Sequence, residues 1–405
     1  MKRKLELAEV KDQYSIVIVG GGLVGSTLAI ALNQAGIEPL VVEAFEQDSD
    51  QQPSFDDRSV ALSLSSLEIL NQLGIYQCID NTAEPIKHIH VSDQGHYGFC
   101  RLESEKLGVT QLGAVIENHR FGHALLDQVA ASSIDYLVPA TVTKIDLKEP
   151  SNQILIESKG QQKKVKCQLI ILAEGARSEL KNDLGFETQI TDYQSQAIVC
   201  NVKPQLPHQN WAYERFTEHG PLALLPLSQD RLSIVWSQSL ENSEQLLKLS
   251  DTEFAKALEQ TFGARLGKIE KVGKRMQFPL SQSVTGNSIK QGCLLLGNSA
   301  QALHPIAGQG LNLALRDIAA LKAYIEQTLL LEARTDLGSY AWLRDYQLSR
   351  KQDRQQTIAS TETLARLFVN PWKPLSISRN LLMKALDVTP IIKQEFAQSA
   401  MGYRA

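Results

Sequence analysis

Between a β-branched run and a stretch of small and apolar residues lies Gly20-Gly21-Gly22-Leu23-Val24-Gly25, a GxGxxG pattern. Ser15–Val19 before it has the unbroken apolar character of a strand buried on both faces. Leu23–Gln34 after it has helical spacing, and Gly36 ends it. Leu40–Glu43 is a second apolar strand that closes on an acid. This order predicts a βαβ unit with parallel strands. Gly20 permits the tight turn, Gly22 lets backbone approach a pyrophosphate, and Gly25 lets helix pack on strand. The helix start offers free N–H groups and a partial positive charge to phosphates. Glu43 is placed to accept hydrogen bonds from an adenosine ribose. A turn that merely needs glycine is the alternative. The motif does not choose FAD over NAD.

The same segment invites a second interpretation. Tyr14–Ile37 carries no charged residue and is long enough to span a bilayer. Gly20, Gly21, Gly22 and Gly25 in its middle divide it instead into strand, loop and helix.

Further along, Leu169–Ala173 and Cys293–Leu296 are apolar runs, followed by Glu174-Gly175 and Gly297-Asn298. Strands ending in glycine turns fit a sheet whose C-terminal ends face one ligand crevice. Between them the texture changes. Ala197–Val202, Trp211–Phe216, Leu222–Leu227 and Arg231–Trp236 read as extended segments, punctuated by Pro204, Pro207, Gly220 and Asp230. They predict an antiparallel sheet inserted into the nucleotide-binding unit. From about Gln309 the chain reads as helical, with Pro371, Pro374 and Pro390 as breaks.

A chain of 405 residues exceeds one simple core. The expected fold class is α/β: a Rossmann-like dinucleotide-binding domain, an interleaved antiparallel-sheet substrate domain, and C-terminal helices. The expected boundaries are 1–80, 100–185 and 285–345 for the discontinuous dinucleotide-binding domain. Residues 81–99 and 186–284 form the substrate sheet, and 346–405 the C-terminal helical region. The formal net charge of -4 gives no basic field for nucleic acid. The five cysteines form no CxxC pair, which argues against a zinc site or disulfide framework and fits a reducing cytoplasm. The N-terminus has no apolar stretch behind its charges and does not read as a signal peptide.

Gly297–Asn312 reads GNSAQALHPIAGQGLN. With the glycine loop and the LIILAEGARS segment of 169–178, it resembles the class A flavoprotein aromatic hydroxylases, of the para-hydroxybenzoate hydroxylase type. The three landmarks occur in that family's order, and the resemblance covers essentially the whole chain. Two positions depart from the general pattern. The acid of the first family motif is Glu174, and the acid expected to hold the flavin ribityl chain is Asn298. An amide can still bond a hydroxyl, but it carries no charge and also donates. The asparagine form is similar to the ubiquinone-biosynthesis branch. So are DRSVALS (57–63), IHVSDQGHYG (89–98), ERFTEHGPLALL (214–225), FGARLGKI (262–269) and GKR (273–275).

The resemblance implies an FAD-dependent monooxygenase that uses NAD(P)H and O2. It would work through a flavin C4a-hydroperoxide and transfer one oxygen to an electron-rich phenol carbon. Within the branch it implies hydroxylation at C1 of a 2-polyprenyl-6-methoxyphenol. A sister hydroxylase acting at another ring position is the first alternative. A flavin reductase and a non-catalytic assembly subunit with degenerate flavin binding are the others. Implied cofactor-binding positions are Gly20, Gly22, Gly25, Glu43, Arg58, Glu174, Gly175, Gly297, Asn298, Gly308, Gln309, Gly310, Leu311 and Asn312. Implied catalytic positions are Pro305, Gly308, Gln309 and Arg58. Arg58 matches a flavin-proximal arginine, with a surface ion pair to Asp56 or Asp57 as the alternative. His304 is either a proton-handling group or a structural histidine. His96 and His219 carry no catalytic assignment, and Arg316-Asp317 reads as structural. No metal is expected.

A polyprenyl tail requires an apolar channel, for which Leu222–Leu227 and Phe278–Leu280 are candidates, with plain sheet core as the alternative. The C-terminal Leu367-Phe368-Val369, Trp372, Leu375, Ile377, Leu381 and Leu382 have Lys373, Arg379 and Lys384 among them. They form either a membrane- or partner-facing helix or one packed on its own domain. Expected partners are the polyprenylated phenol, O2 and proteins of a ubiquinone-biosynthesis complex. Cytoplasmic location with peripheral contact at the inner membrane face follows from the resemblance. Oligomeric state is not readable.

Overall fold

A computed structural model describes residues 5–46, 58–149, 151–331, 336–369 and 373–403. The charge-free segment folds as its glycines dictate: β1 (Gln13–Val19), a turn, then the 12-residue helix α1 (Leu23–Gln34). β2 (Leu40–Val42) follows and pairs parallel to β1, with Val17 opposite Leu40. β3 (Ser59–Ser63), β4 (His88–Asp93), β5 (Phe99–Glu103), β6 (Gly113–Glu117) and β7 (Asp135–Leu137) come next. β8 (Gln161–Leu172) ends on the predicted Leu169–Leu172 core run and lies parallel to β1, with Ile16 opposite Leu169.

The long β9 (Thr188–Pro204) then opens the antiparallel section with β10 (Trp211–Thr217), β11 (Gly220–Leu227) and β12 (Arg231–Ser239). β13 (Met276–Thr285) returns along β9, and β14 (Cys293–Leu295) lies parallel to β8. Among the described residues the last long elements are α2 (Gln309–Leu331), α3 (Tyr340–Val369), α4 (Lys373–Val388) and α5 (Pro390–Ala400).

Two large sheets result. The first has eight strands and the core order β14-β8-β1-β2-β7. Its parallel members are hydrophobic in their C-terminal halves: Ile16, Val17, Ile18 and Leu169–Leu172 have no exposed surface. α1 covers one face and meets α2, and its small buried residues Ser26, Thr27, Ala29 and Ala31 allow the close approach. The second sheet has nine strands, seven of them in the order β13-β9-β12-β11-β10-β4-β5, with Gln301–Ala302 beside β13 and Ile269–Val272 beside β9. Its outer face buries Ile198, Leu224, Ile234 and Trp236 under the Leu240–Lys248 and Asp251–Phe262 helices.

β3 and β6 pair in a third, small sheet between the two. Glu117 at the end of β6 receives two bonds from Arg231 of β12, at 2.9 and 3.1 Å, and Arg120 contributes a third contact at 3.1 Å. This buried cluster ties the small sheet to the second large one.

The sheets depart from the expected boundaries in detail. Residues 99–103 remain in the second sheet, because the hairpin continues from Ser92 opposite Phe99 to His88 opposite Glu103. Gln301–Ala302 also joins that sheet, on β13. The C-terminal helices begin at Tyr340 rather than 346. Pro390 acts as expected, occupying the first turn of α5, where its missing N–H has no helical partner to lose. Pro371 and Trp372 lie outside the described residues.

Candidate active site

The parallel strands β1, β8 and β14 end side by side, and the three glycine turns meet there. Gly20 has φ +100, and a Cβ on it would lie 2.7 Å from the Ala173 carbonyl oxygen. Gly25 approaches still closer: a Cβ would fall 1.8 Å from the Gly20 carbonyl oxygen. Only hydrogen fits at either position. Gly22 caps α1 with extended backbone, and the first intrahelical bond runs from Ser26 N–H to its carbonyl at 2.9 Å. The N–H groups of the first turn therefore point out of the helix end.

Glu43 is buried beside this turn. Its carboxylate accepts from the Gly21 N–H at 2.5 Å and from the Phe45 N–H at 2.9 Å. Tyr136, which sequence reasoning did not single out, donates its hydroxyl to the Gly21 carbonyl at 3.0 Å. A Cβ on Gly21 would collide with that hydroxyl at 2.2 Å. The middle glycine of the motif is thus needed for side-chain packing.

At the next strand end Glu174 accepts from the Ser178 hydroxyl at 2.6 Å. Burial raises its pKa against that bond, and the nearby Glu43 adds to the rise. Gly175, at φ +93, gives its N–H to Ser299 Oγ at 3.1 Å. The same hydroxyl returns a bond to the Gly175 carbonyl at 3.1 Å. One serine therefore fastens the β8 turn to the β14 turn. Gly297, at φ +60, packs against Val24 of α1. Asn298 is exposed, and its Oδ1 would lie 3.9 Å from a Cβ on Gly310. The amide is turned toward the start of α2.

The Pro305–Gly310 turn leads into that helix start. Pro305 is exposed, Gln309 is buried as the first residue of α2, and Gly310 and Leu311 are half-buried. Gly308, at φ +60, sits over β3, where a Cβ would be 3.3 Å from Ala61. Asn312 holds this contact. Its Oδ1 accepts from the Ser63 N–H at 2.8 Å. Its Nδ2 donates to the Ala61 and Gly308 carbonyls at 2.9 and 2.7 Å. Both amide protons are committed to backbone, so the side chain clasps β3 to the turn.

Arg58 lies at the start of β3 with its guanidinium 4.7 Å from the centre of the Phe278 ring on β13. Asp56 and Asp57, the alternative partners, lie outside the described residues. His304 is buried, and loss of water pushes its pKa down to about 4. It stays neutral near pH 7, accepts from the Ile306 N–H at 3.3 Å and packs edge-on to Tyr193 at 5.0 Å. Arg316 and Asp317 bind α2 to α3: Arg316 pairs with Asp353 at 2.8 and 3.0 Å, and Arg350 with Asp317 at 2.7 Å.

The second sheet turns its inner face toward β3 and the Pro305–Gly310 turn. Phe216 and Val91 pack with Ile306, and Ala212, Ile89 and Leu225 pack with Ala61. Across the middle of this face runs the lateral row Val91, Glu214, Ala223, Val235, Val199. The first four are only half-buried although their strands are interior to the sheet. This partly open row forms a trough facing the turn, and Glu214 is the one charged residue of the row.

Comparison with known proteins agrees with this geometry. A family profile described as FAD binding domain matches residues 13–360. The ubiquinone hydroxylase UbiL of Rhodospirillum rubrum is 32% identical over 391 residues, 96% of this chain and 89% of that protein. The 3-demethoxyubiquinol 3-hydroxylase of Escherichia coli is 28% identical over 96% of this chain and 98% of its own. Among solved structures, p-nitrophenol 4-monooxygenase PnpA of Pseudomonas putida superposes with a TM-score of 0.79 at 15% identity. It covers 98% of this chain and 100% of its own. The fold is therefore that of the FAD-dependent monooxygenases, as the resemblance implied.

Proposed function

Because this chain belongs to the FAD-binding-domain family, we propose that it is an FAD-dependent aromatic hydroxylase of ubiquinone biosynthesis, acting at C1 of a 2-polyprenyl-6-methoxyphenol with NAD(P)H and O2. The observation that carries the reading is the meeting of three glycine turns at one crevice that opens onto the trough of the second sheet.

The crevice fits the cofactor. Gly20 and Gly25 allow the tight loop that presents its backbone to a pyrophosphate, since a side chain on either would collide with neighbouring backbone. The N–H groups at the start of α1 suit a pyrophosphate. Glu43, just past the end of β2 and beside the glycine turn, suits a ribose hydroxyl. Asn298 suits the ribityl chain, and the first-turn backbone N–H groups of Gln309, Gly310 and Leu311 suit the flavin ring, with Gly308 closing the turn through its own N–H to the Pro305 carbonyl. Bound FAD supplies the redox chemistry, taking reducing equivalents from the nicotinamide donor and activating O2. The protein's share is placement. The helix start at Gln309 favours negative charge beside it. Arg58 stands on Phe278 at the trough's other end. Tyr193, Phe216 and Ile306 pack together against water at the turn.

Position C1 is supported by Asn298 and the branch-specific segments. The Escherichia coli relative, named for another ring position, supports the sister reading. A quinone-pathway profile by mass spectrometry in a strain lacking this chain decides between them. Accumulated 2-polyprenyl-6-methoxyphenol, cured by the intact chain but not by Gly22→Trp, supports C1. An accumulated demethoxy-quinone moves the assignment to the sister position. A purified protein that takes up no added FAD would favour the assembly-subunit reading.

Among the described residues no helix is long and apolar enough to cross a membrane. Arg379 pairs with Asp93 at 2.9 Å, so one side of α4 is fastened to β4. Leu381, Leu382, Val388 and Ile391 are nevertheless 58–74% exposed on α4 and α5. This apolar patch supports peripheral contact with the membrane that holds a polyprenyl substrate.

A further inference from the structure

Glu214 stands in an environment that carboxylates rarely occupy without a task. It lies on β10, interior to the nine-stranded sheet, with Val91 on one side and Ala223 on the other. Ala212 and Phe216, two residues before and after, point to the same face and are buried. Every immediate neighbour on that face is apolar. Among the described residues its carboxylate has neither a hydrogen bond nor an ion pair. Other buried carboxylates in this protein are held: Glu43 by two N–H groups, Glu117 and Asp353 by arginines, Asp93 by Arg379 and Asn380. Glu214 is enclosed by protein, yet part of its surface remains open to the trough.

The nearby elements offer no compensating charge. On β4, Asp93 is bound to Arg379. On α3, Glu362 is paired with Arg366 at 2.8 Å. His304 is buried beside Tyr193, and Arg58 lies over Phe278. Loss of water is the sole cause acting on Glu214, and it raises the pKa to about 7. A group poised there is well matched to moving a proton at neutral pH.

Resting on the hydroxylase reading, we propose that Glu214 is the proton acceptor for the hydroxyl of a phenolic substrate lying in the trough. The phenol O–H bond breaks, its proton passes to a carboxylate oxygen, and the electron pair stays on the phenolic oxygen. That pair enriches the ring carbons ortho and para to it, one of which takes the oxygen atom that O2 and NAD(P)H provide. As the new C–O bond forms, the phenolic oxygen becomes a carbonyl. Loss of the ring proton to water restores the aromatic ring and returns the electron pair to that oxygen, which takes its proton back from Glu214.

Two measurements on the FAD-loaded protein test this. The first needs no substrate. A carboxyl whose pKa is raised on folding loses stability as pH rises from the ordinary glutamate value through about 7. Glu214→Gln is therefore expected to melt above the native protein at pH 8 and to lose that advantage at pH 5, with unchanged flavin content. An advantage that does not vary with pH overturns the isolated-carboxylate argument. The second follows guaiacol binding through perturbation of the flavin spectrum, and its hydroxylation, against pH. The native protein is expected to gain kcat/KM as pH rises through 7. Glu214→Gln is expected to bind guaiacol with a flat profile and to turn over roughly 10²–10⁴-fold more slowly. An unchanged acid limb and kcat in Glu214→Gln overturns the proposal and leaves the hydroxylase reading intact. A native protein that neither binds nor hydroxylates phenols overturns both.

Discussion

Asn312 is the most exacting test of how the turn at Gly308 is held. Replacing it by leucine keeps the branched shape, at somewhat greater bulk, and removes three bonds at once: those to the Ser63 N–H and to the Ala61 and Gly308 carbonyls. Asn312 is 1% exposed, so water cannot fully replace the amide. Each stranded buried group costs about 1–3 kcal/mol, and the two carbonyls are partly accessible, so a total of about 3–5 kcal/mol is expected. With an unfolding entropy of roughly 2.1 cal/mol/K per residue, that corresponds to a fall in Tm of about 4–6 °C for a chain of this size. The β3–turn contact also positions the start of α2, so FAD affinity should fall at least about tenfold, equivalent to about 1.4 kcal/mol. Thermal melts of the apoprotein and fluorescence titration with FAD read the two effects separately. An Asn312→Leu protein that melts within a degree of the native one and binds FAD equally well would refute the clasp.

Gly25→Ala places a methyl carbon 1.8 Å from the Gly20 carbonyl oxygen and should cost about 1–3 kcal/mol, with the purified protein emerging without bound flavin. Retained yellow colour at native stoichiometry would contradict it. For Asp353, burial favours the protonated form, but bonds and charges from Arg316 and Arg350 win and lower the pKa to about 2. Its contribution of about 2 kcal/mol is present above the unfolded carboxylate value near 4 and disappears as pH falls through 2. Asp353→Asn should thus be less stable than the native protein at pH 7 and converge with it in acid, by chemical denaturation. Leu381→Glu combined with Ile391→Glu should abolish co-sedimentation with anionic liposomes while leaving Tm within about 1 °C, since surface changes rarely cost more. Undiminished co-sedimentation would remove this patch as the membrane contact.

The parts of the fold visible in the sequence are those that local pattern encodes. β1, its glycine turn and α1 each have a distinct period, and the runs entering Glu174 and Gly297 are strands too apolar for a surface. What escaped was set by partners distant in the chain. The hairpin at 99–103 exists because β4 is its neighbour. Tyr136 matters because strand order places β7 beside β2, bringing its hydroxyl over Gly21. Ser299 is a small polar residue in a motif until it is seen bridging to Gly175. Asn312 matched a flavin-site motif, yet its amide serves the backbone around that site. Glu214 lay in a segment noted for its likeness to relatives, but its solitude follows only from the apolar row to either side.

Strand order carries a consequence for how the protein is made. β1, at the beginning of the chain, lies between β2 and β8, and the sheet is completed by β14 at Cys293–Leu295. The glycine loop therefore leaves the ribosome long before the turns at Gly297 and Gly308 that complete the flavin crevice. During that interval the first βαβ unit has an exposed edge where β8 will pair, and its apolar flank awaits α2. Such long-range closure is slow, and the incomplete sheet is vulnerable to aggregation. A flavin that contacts both the glycine loop and the start of α2 would bind the closed arrangement in preference to the open one, and so stabilise the newly made chain by mass action. Cellular FAD supply would then govern how much of this protein survives quality control as well as how fast it works.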